Sequence, residues 1–546
     1  MKRSEENWSG KNIRIEHRKF AKNAIYSLFN NYGIFIFQII VSFFIARLIS
    51  QEIWGILILA LTYINIISLI LTFFPPALTF SVNYYIPRYI TLNKNYKLKS
   101  IIKVAFYIKS LFSLIIFSIS VLIFSILHSF FSESLQNYTH ILFLLSPLII
   151  IIGLNSLLDS IYQGFSRYKL IFFLTILKFS FNIFALIICL IFGIKNLEII
   201  ALVNLISYII PFLYSLLLFL KLYINIKYSN ETKVSFKRTL SKLSKYGTPL
   251  SVSSFLNEIW KQFQAPIIEE FEPLSVITGF TLSKYYSHIS LTAASSFSNP
   301  LITSFSTLDV KNEKDQINQI YNMTFKYSLF LMLLISGSLF ILTDFFLVIV
   351  YGNSYLIYSS IVKLYLISVI FTVLGNILIP LLNAKNKVKI LPILTIINLI
   401  IIISLFFIGI IFYGIIGAIF GMILSNIIVF LIQLFLSIKI GDVKIKLNKI
   451  FYQYINFFIS LVIAVILEEF LFKTLRLQIL LNLNLLFFQN LQIMSLISFL
   501  IIFLLLNRLI KIFSPKEIEA LETLLTSDKI QHRIIQKILK MLKKIL

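Results

Sequence analysis

Apolar runs of roughly 17 to 25 residues, the length that carries a helix across the hydrocarbon core of a bilayer, recur along this chain with short polar interruptions. They fall near 27–49, 56–80, 104–127, 141–165, 170–193 and 198–220, then near 247–268, 276–304, 327–350, 361–383, 390–412, 415–438, 451–471 and 488–510. The pattern predicts fourteen spans and an all-α polytopic membrane protein. Composition agrees: hydrophobic residues make up 58% of the chain, charged residues 13%, and the mean hydropathy is +0.90, values too apolar for a soluble protein of this length.

One run breaks the apolar rule. In KYGTPLSVSSFLNEIWKQFQ, Lys245 to Gln264, a helical period puts Ser251, Ser253, Ser254, Asn257, Glu258, Lys261, Gln262 and Gln264 on one side. Val252, Phe255, Leu256, Ile259, Trp260 and Phe263 take the other. An ionisable side chain in hydrocarbon costs roughly 2.5 kcal/mol or more, so Glu258 and Lys261 must face protein or a water-filled cavity if this run crosses. The alternative is an amphipathic helix lying on the surface.

Charge placement decides between the two. Of the 49 Lys and Arg residues, 40 fall in the N-terminus, the C-terminus and alternate connections. Only Arg47, Lys195, Lys473 and Arg476 fall in the opposite connections. Such a bias marks the cytoplasmic side. A surface-lying 247–268 segment would reverse the parity after it and move Lys311, Lys314 and Lys326 outside, so the run is expected to cross. The net charge of +26 then reflects the cytoplasmic face and its anionic lipids, with no call for nucleic acid. Both termini are expected in the cytoplasm, with the protein in the plasma membrane. The lone Cys189 excludes a disulfide framework.

The longest inner connection, Lys221 to Gly247, divides the chain. The expected organisation is a cytoplasmic segment 1–22, a six-helix bundle 23–220, a linker 221–245, a second six-helix bundle 246–440, two further helices 441–512 and a basic tail 513–546. The tail carries an N-cap, a first-turn proline and a capping acid at Ser514, Pro515 and Glu517. Weak echoes relate the bundles: NYG at 31–33 and KYG at 245–247, FGI at 192–194 and YGI at 413–415. Even span numbers give both halves one orientation, hence a pseudo-two-fold along the membrane normal.

Polar stripes occupy matching places in the two halves. The first span carries Ser27, Asn31, Gln38 and Ser42, and the second Thr62, Asn65, Thr72 and Asn83. The eighth carries Thr281, Lys284, Tyr285, His288, Thr292, Ser295 and Asn299. Together with the seventh they would enclose a hydrated chamber between the bundles. Lys284 and His288 lie one helical turn apart, which offers a cationic patch for an anionic head group; a Glu258 ion pair with Lys261 or Lys284 that only fixes packing is the competing reading. Asp159 and Lys178 are expected to pair. Lys109 lacks an evident partner and is a candidate chamber residue. Lys363 reads as a lysine reaching for the outer interface, and the EEFEP acids at 269–273 as solvated.

The chain lacks the GxxxxGK[ST] sequence that cradles phosphates, and its scattered histidines form no metal motif. Outer connections are too short and too poor in functional groups for a glycan polymerase or ligase. No catalytic residue, metal or cofactor is therefore expected, apart from a coupling cation such as H+ or Na+.

Five stretches carry a family likeness: FFIARLISQEIWGILILALTY at Phe43–Tyr63, YQGFSRYK at Tyr162–Lys169, KYGTPLS at the seventh span, VIVYGNSYLIYSSIVKLYLIS at Val348–Ser368 and LLNAKNKVK at Leu381–Lys389. In this order, over residues 20 to 445, the chain resembles the polysaccharide-transporter, or oligosaccharide flippase, branch of the MATE-like MOP superfamily. The resemblance implies two six-helix bundles, a central cavity that alternates its access, and export of a lipid-linked oligosaccharide without ATP hydrolysis. It implies cationic cavity residues, carried onto Lys261 and Lys284, with Glu258 as a departure. The candidate contact residues are thus Lys261, Lys284, Glu258, His288, Gln262, Asn257, Asn31, Gln38, Asn65, Lys109 and Lys178. The implied partners are a polyprenyl-phosphate-linked glycan and membrane lipids, for a monomer that works beside glycan-biosynthesis enzymes. A cation-coupled multidrug exporter of the same fold is the first alternative and a polymerase or ligase the second.

Overall fold

In a computed structural model of the chain, every regular element among the described residues is a helix. Those residues are 26, 30, 32–73, 78–130, 133–226, 235–295, 301, 305, 313–385, 387, 390–478 and 485–510. Asn31, the N-terminal segment and the tail past residue 510 lie outside them.

The first helices are α1 (Tyr32–Leu48), α2 (Gln51–Phe73), α3 (Leu78–Thr91), α4 (Asn95–Phe130), α5 (Glu133–Leu145), α6 (Leu148–Gly164), α7 (Tyr168–Ile191) and α8 (Leu197–Ile224). After them come α9 (Phe236–Phe271), α10 (Leu274–Ser295), α11 (Lys314–Ile341), α12 (Thr343–Val350), α13 (Ser359–Val369) and α14 (Gly375–Ala384). The last are α15 (Ile390–Lys439), α16 (Leu447–Gln478) and α17 (Leu485–Leu509).

Ten helical segments among the described residues are long and apolar enough to cross a membrane, which makes this a multi-pass membrane protein. The expected fourteen differs for definable reasons. The 50-residue α15 counts once although it holds two predicted spans, α1 is described over a shorter stretch, and α9 and α10 carry the polar residues already noted.

The chain forms two compact units: Met1–Thr278 with Pro392–Ile403, and Gly279–Leu391 with Ser404–Leu546. In the first, Val82, Ile86, Ile102, Ala105, Leu157 and Ile161 sit in a core built on α3, α4 and α6. The YQGFSRYK stretch serves this core. The Tyr162 hydroxyl donates to the Ser215 carbonyl at 2.6 Å, tying α6 to α8. At Gly164 any Cβ would stand 2.8 Å from Ile86, so only glycine permits this approach of α3. Gln163 accepts from Asn83 at 3.0 Å, and Ser166, at φ 58°, turns the chain left-handed so that the Arg167 amide closes on the Tyr162 carbonyl at 2.8 Å.

The sequence places α9 at the head of the second bundle; its packing lies in the first unit, against α2, α3 and α4. Near its start, Ser81 donates to the Leu243 carbonyl at 2.6 Å and Lys242 to the Tyr89 hydroxyl at 2.6 Å. Near its end, Tyr63 donates to Glu269 at 3.0 Å, so this acid of the EEFEP turn is a packing element, contrary to the solvated role expected of it. Beyond the turn, Gly55 lies against the Leu274 backbone, with a hypothetical Cβ only 2.3 Å from that carbonyl oxygen, and Thr278 donates to the Gln51 carbonyl at 2.8 Å.

In the second unit, α10 folds its hydroxyls back onto its own backbone. Ser283 donates to the Gly279 carbonyl, Ser290 to that of Ser287 and Thr292 to that of His288. Such bonds spend the polarity of a serine-rich helix internally. Gly279 lets the Tyr358 ring lie directly on the α10 backbone. Tyr286 donates to the Leu339 carbonyl at 3.0 Å and Tyr454 to the Ile370 carbonyl at 3.1 Å.

The long α15 is a hairpin. Tyr413 (φ −137°, ψ 18°) and Gly414 (φ 60°, ψ −151°) leave helical geometry between the two predicted spans. Past this turn the limbs approach backbone to backbone: a Cβ at Gly409 would stand 2.1 Å from the Gly417 carbonyl oxygen, and one at Gly421 2.2 Å from that of Leu405. Small residues allow this closeness, as is usual between helices in lipid. Gly414→Val is expected to cost about 1 to 3 kcal/mol, because its backbone region is open essentially only to glycine. Gly417→Leu is expected to lower the unfolding midpoint further by pushing the limbs apart. Thermal unfolding of the purified protein in detergent measures both.

Candidate functional site

Within the first unit, α9 buries Trp260, Gln264 and Ile268, which recur at intervals of four and turn one face into the packing. That face differs from the one drawn from the sequence. Gln264, expected on the polar side, is 3% exposed, whereas Phe263, expected on the apolar side, is 42% exposed. Asn257 and Lys261 stand on the exposed side, and Glu258 and Gln262 are partly buried. Lys261 Nζ lies 2.6 Å from Glu258 Oε1, with side-chain exposures of 61% and 44%. This pair joins two residues of a single helix, one turn apart, so it cannot fasten α9 to a neighbour.

In the second unit, Phe280, Ser283, Tyr286, Ser287 and Ser290 point α10 into its core. Lys284 is half-buried and His288 exposed, on a face turned away from that core. The Lys284 ammonium lies 4.8 Å from the centre of the Phe280 ring, a cation–π contact that keeps a charge tolerable in low dielectric. His288 Nδ1 lies 2.9 Å from the Thr292 hydroxyl. Each unit, taken by itself, therefore carries ionisable side chains partway along a long helix and off its packed face.

The remaining candidates divide. Gln38 on α1 and Asn65 on α2 are partly buried in the first unit; Asn31 lies outside the described residues. Lys109, taken as a chamber residue without a partner, is 1% exposed and donates from Nζ to the Leu71 carbonyl. The reason is legible in covalent structure: the helical partner of that carbonyl would be the amide of residue 75, and Pro75 has none. A buried carbonyl without a donor is costly in lipid, and the ammonium near the end of α2 also meets its negative dipole. Lys109 is thus a structural cap.

Lys178 forms no ion pair with Asp159 among the described residues. Its ammonium lies 3.5 Å from the centre of the Tyr208 ring and 5.2 Å from that of Phe179. Aromatic faces touch the ammonium, while Asp159 feels its charge from beyond ion-pair distance. Lys363, read as reaching for the interface, instead pairs with Asp344 at 2.8 Å, both about a quarter exposed at 27% and 29%; Ser359 also donates to Asp344. Two polar networks had no sequence signal beyond the presence of amides in apolar runs. Asn182 donates to Asn204 and to Ser207, each at 3.2 Å, between α7 and α8. Gln492 of α17 accepts the Phe345 amide at 2.9 Å.

Comparison with protein families matches residues 20–305 to the model described as polysaccharide biosynthesis protein. A comparison with curated protein sequences finds no match. Among solved structures, the fold is similar to a multidrug resistance MATE family transporter of the MOP superfamily in its inward-facing conformation, at a TM-score of 0.63 and 15% identity, over 76% of this chain and 98% of that one. It is similar to the lipid II flippase MurJ in an inward closed conformation, at a TM-score of 0.62 and 18% identity, over 89% of this chain and 99% of that one. It is also similar to the Vibrio cholerae MATE transporter VcmN in the bent form, at a TM-score of 0.54 and 15% identity, over 78% and 97% of the two chains. The fold is thus similar to that of these MATE and MurJ structures.

The role given to Lys109 is checked by Lys109→Met, which keeps the length and removes the donor. Leaving a buried carbonyl unsatisfied is expected to cost about 1 to 3 kcal/mol, read as a lower unfolding temperature in detergent. Lys261→Met, on an exposed face, is expected to leave that temperature within error of the parent.

Proposed function

Because the chain belongs to the polysaccharide biosynthesis protein family, we propose that it is a flippase moving a polyprenyl-phosphate-linked oligosaccharide from the inner to the outer leaflet of the cytoplasmic membrane. It does so by alternating access and without hydrolysing ATP, with both termini in the cytoplasm. The observation that carries this reading is the face of α9: Asn257, Glu258 and Lys261 lie off the packed side of a helix that the charge parity of the connections sends through the bilayer. Ionisable groups kept at such depth default to substrate or ion pathways.

Chemistry narrows the substrate class. Lys261 and Lys284 are ammonium donors suited to a phosphate or an acidic sugar, and Asn257, Gln262 and His288 add further hydrogen-bonding groups of the kind sugar hydroxyls need. The lipid tail stays in hydrocarbon, so only the head group requires a polar route. A second reading, a multidrug exporter coupled to H+ or Na+, is favoured by the carboxylate of Glu258 standing one turn from Lys261.

Loss of a charge-assisted hydrogen bond worth about 1.5 to 3 kcal/mol corresponds to roughly a 10- to 100-fold fall in transport. Lys261→Ala and Lys284→Ala are each expected to cut surface glycan by that order while the amount of protein in the membrane is unchanged. Parental glycan export in both variants would reject the flippase roles assigned to these lysines. If Glu258→Gln abolished drug resistance with glycan intact, the exporter reading would stand in its place.

A further inference from the structure

One cavity in the second unit has no residue of α9 or α10 in its lining. It has a volume of about 380 Å³ and lies where the start of α11 meets the segment leading into α16. Lys326, Lys444, Lys446 and Lys449 line it, with Asp315 as the one acid, so the lining carries a formal excess of three positive charges.

The arrangement is built rather than incidental. Residues 442–446 link α15 to α16 outside any helix; Val443 is buried, while Lys444 and Lys446 are exposed and both line the cavity. Two amide side chains hold this segment against α11. Asn318 Oδ1 accepts the Lys444 amide at 3.0 Å, Asn322 Oδ1 accepts the Lys446 amide at 3.1 Å, and Asn322 Nδ2 donates to the Lys444 carbonyl at 2.8 Å. The backbone between the lysines is thereby fixed. Gln453 reaches the Lys326 carbonyl at 3.2 Å and ties the root of the deepest lysine to α16.

Nearby acid is spent elsewhere. Asp442 pairs with Lys314 at 3.0 Å, and that ammonium holds its carboxyl below the usual carboxylate range. Lys385 and Lys387 donate to the Gly441 and Ile440 carbonyls, capping the C-terminal end of α15. Among the described residues that line the cavity, Asp315 is the one carboxylate.

We propose that this cavity binds the phosphate of an anionic phospholipid headgroup in the cytoplasmic leaflet. Its lysines belong to connections that the charge bias along the chain puts on the cytoplasmic side, at the headgroup level of two spanning helices and in the leaflet rich in anionic lipid. Met323 and Ile450 also line the cavity, so apolar surface adjoins the ammonium groups. That pairing suits a headgroup continuing into glycerol and acyl chains better than a free phosphate ion.

The test titrates the full-length protein in detergent with short-chain phosphatidylglycerol, phosphatidylcholine or inorganic phosphate, following bound lipid by native mass spectrometry. Phosphatidylglycerol is expected to bind at least tenfold tighter than phosphatidylcholine. The double variant Lys444→Gln/Lys446→Gln is expected to lose that preference by tenfold or more. Both side chains are exposed, and an unchanged melting temperature without lipid confirms that the variant folds. A control that removes two exposed cytoplasmic lysines elsewhere, Lys94→Gln/Lys169→Gln, is expected to stay within twofold of the parent. Equal losses in both double variants, an unaffected Lys444→Gln/Lys446→Gln protein, or displacement of the lipid by equimolar inorganic phosphate would each overturn the proposal.

Discussion

Hydrocarbon offers no hydrogen bonds, so every backbone amide, carbonyl and ammonium inside a membrane protein must find its partner within the chain. The pairing of Lys109 with the Leu71 carbonyl shows how far that constraint reaches. A proline removes one amide, a carbonyl loses its partner, and a lysine from another helix is buried to replace it. The same accounting explains why the tyrosines Tyr162, Tyr286 and Tyr454 end on carbonyls of neighbouring helices, and why the serines of α10 bond their own preceding turn. Most of the polarity in these spans is consumed in holding the fold. Lys261 and His288 stay exposed because their helices turn other faces into the packing, and each makes a polar contact along its own helix, to Glu258 and Thr292 respectively.

The hydrophobic runs made the fold readable, because a span must be long, apolar and helical whatever its neighbours are. Even the hairpin of α15 was foreseeable: Tyr413 and Gly414 separate two runs, and glycine there releases the chain from helical geometry. What the sequence could not convey was the partner of each buried charge. Lys178 and Asp159 have opposite charge and act on one another at a distance, yet what the ammonium touches is the rings of Phe179 and Tyr208, whose faces hold a cation at much lower cost of desolvation than a carboxylate contact. Nearness to a span end is a one-dimensional measure and does not register Asp344, which meets Lys363 from a different helix.

The face of α9 shows a subtler limit. A shift of one residue, from Phe263 to Gln264, separates the buried side in the structure from the one the period suggests. At 100° per residue the sequence locates a stripe well but not its edges, and an edge residue is decided by packing. Gln264 is buried where a purely apolar face was drawn, and Phe263 is left to whatever lies beyond the unit. The central members of the stripe, Asn257, Glu258 and Lys261, are insensitive to that error and stay on the open side.

An intrahelical pair such as Glu258 with Lys261 also sets the electrostatic terms on which an anion could be received. Coulomb attraction between unit charges a few ångströms apart strengthens several-fold as the effective dielectric falls from that of water toward about 20. The exposed lysine is therefore held most firmly when its surroundings are dry and most loosely when they are wet. Under the proposed reading, a hydrated route lets Lys261 exchange Glu258 for a phosphate at little cost, while a dehydrated one returns it to its neighbour. On that reading, hydration of this one turn of α9 favours the capture of a charged head group and its loss favours the release. A lone lysine in the same place would lack the second half of that exchange.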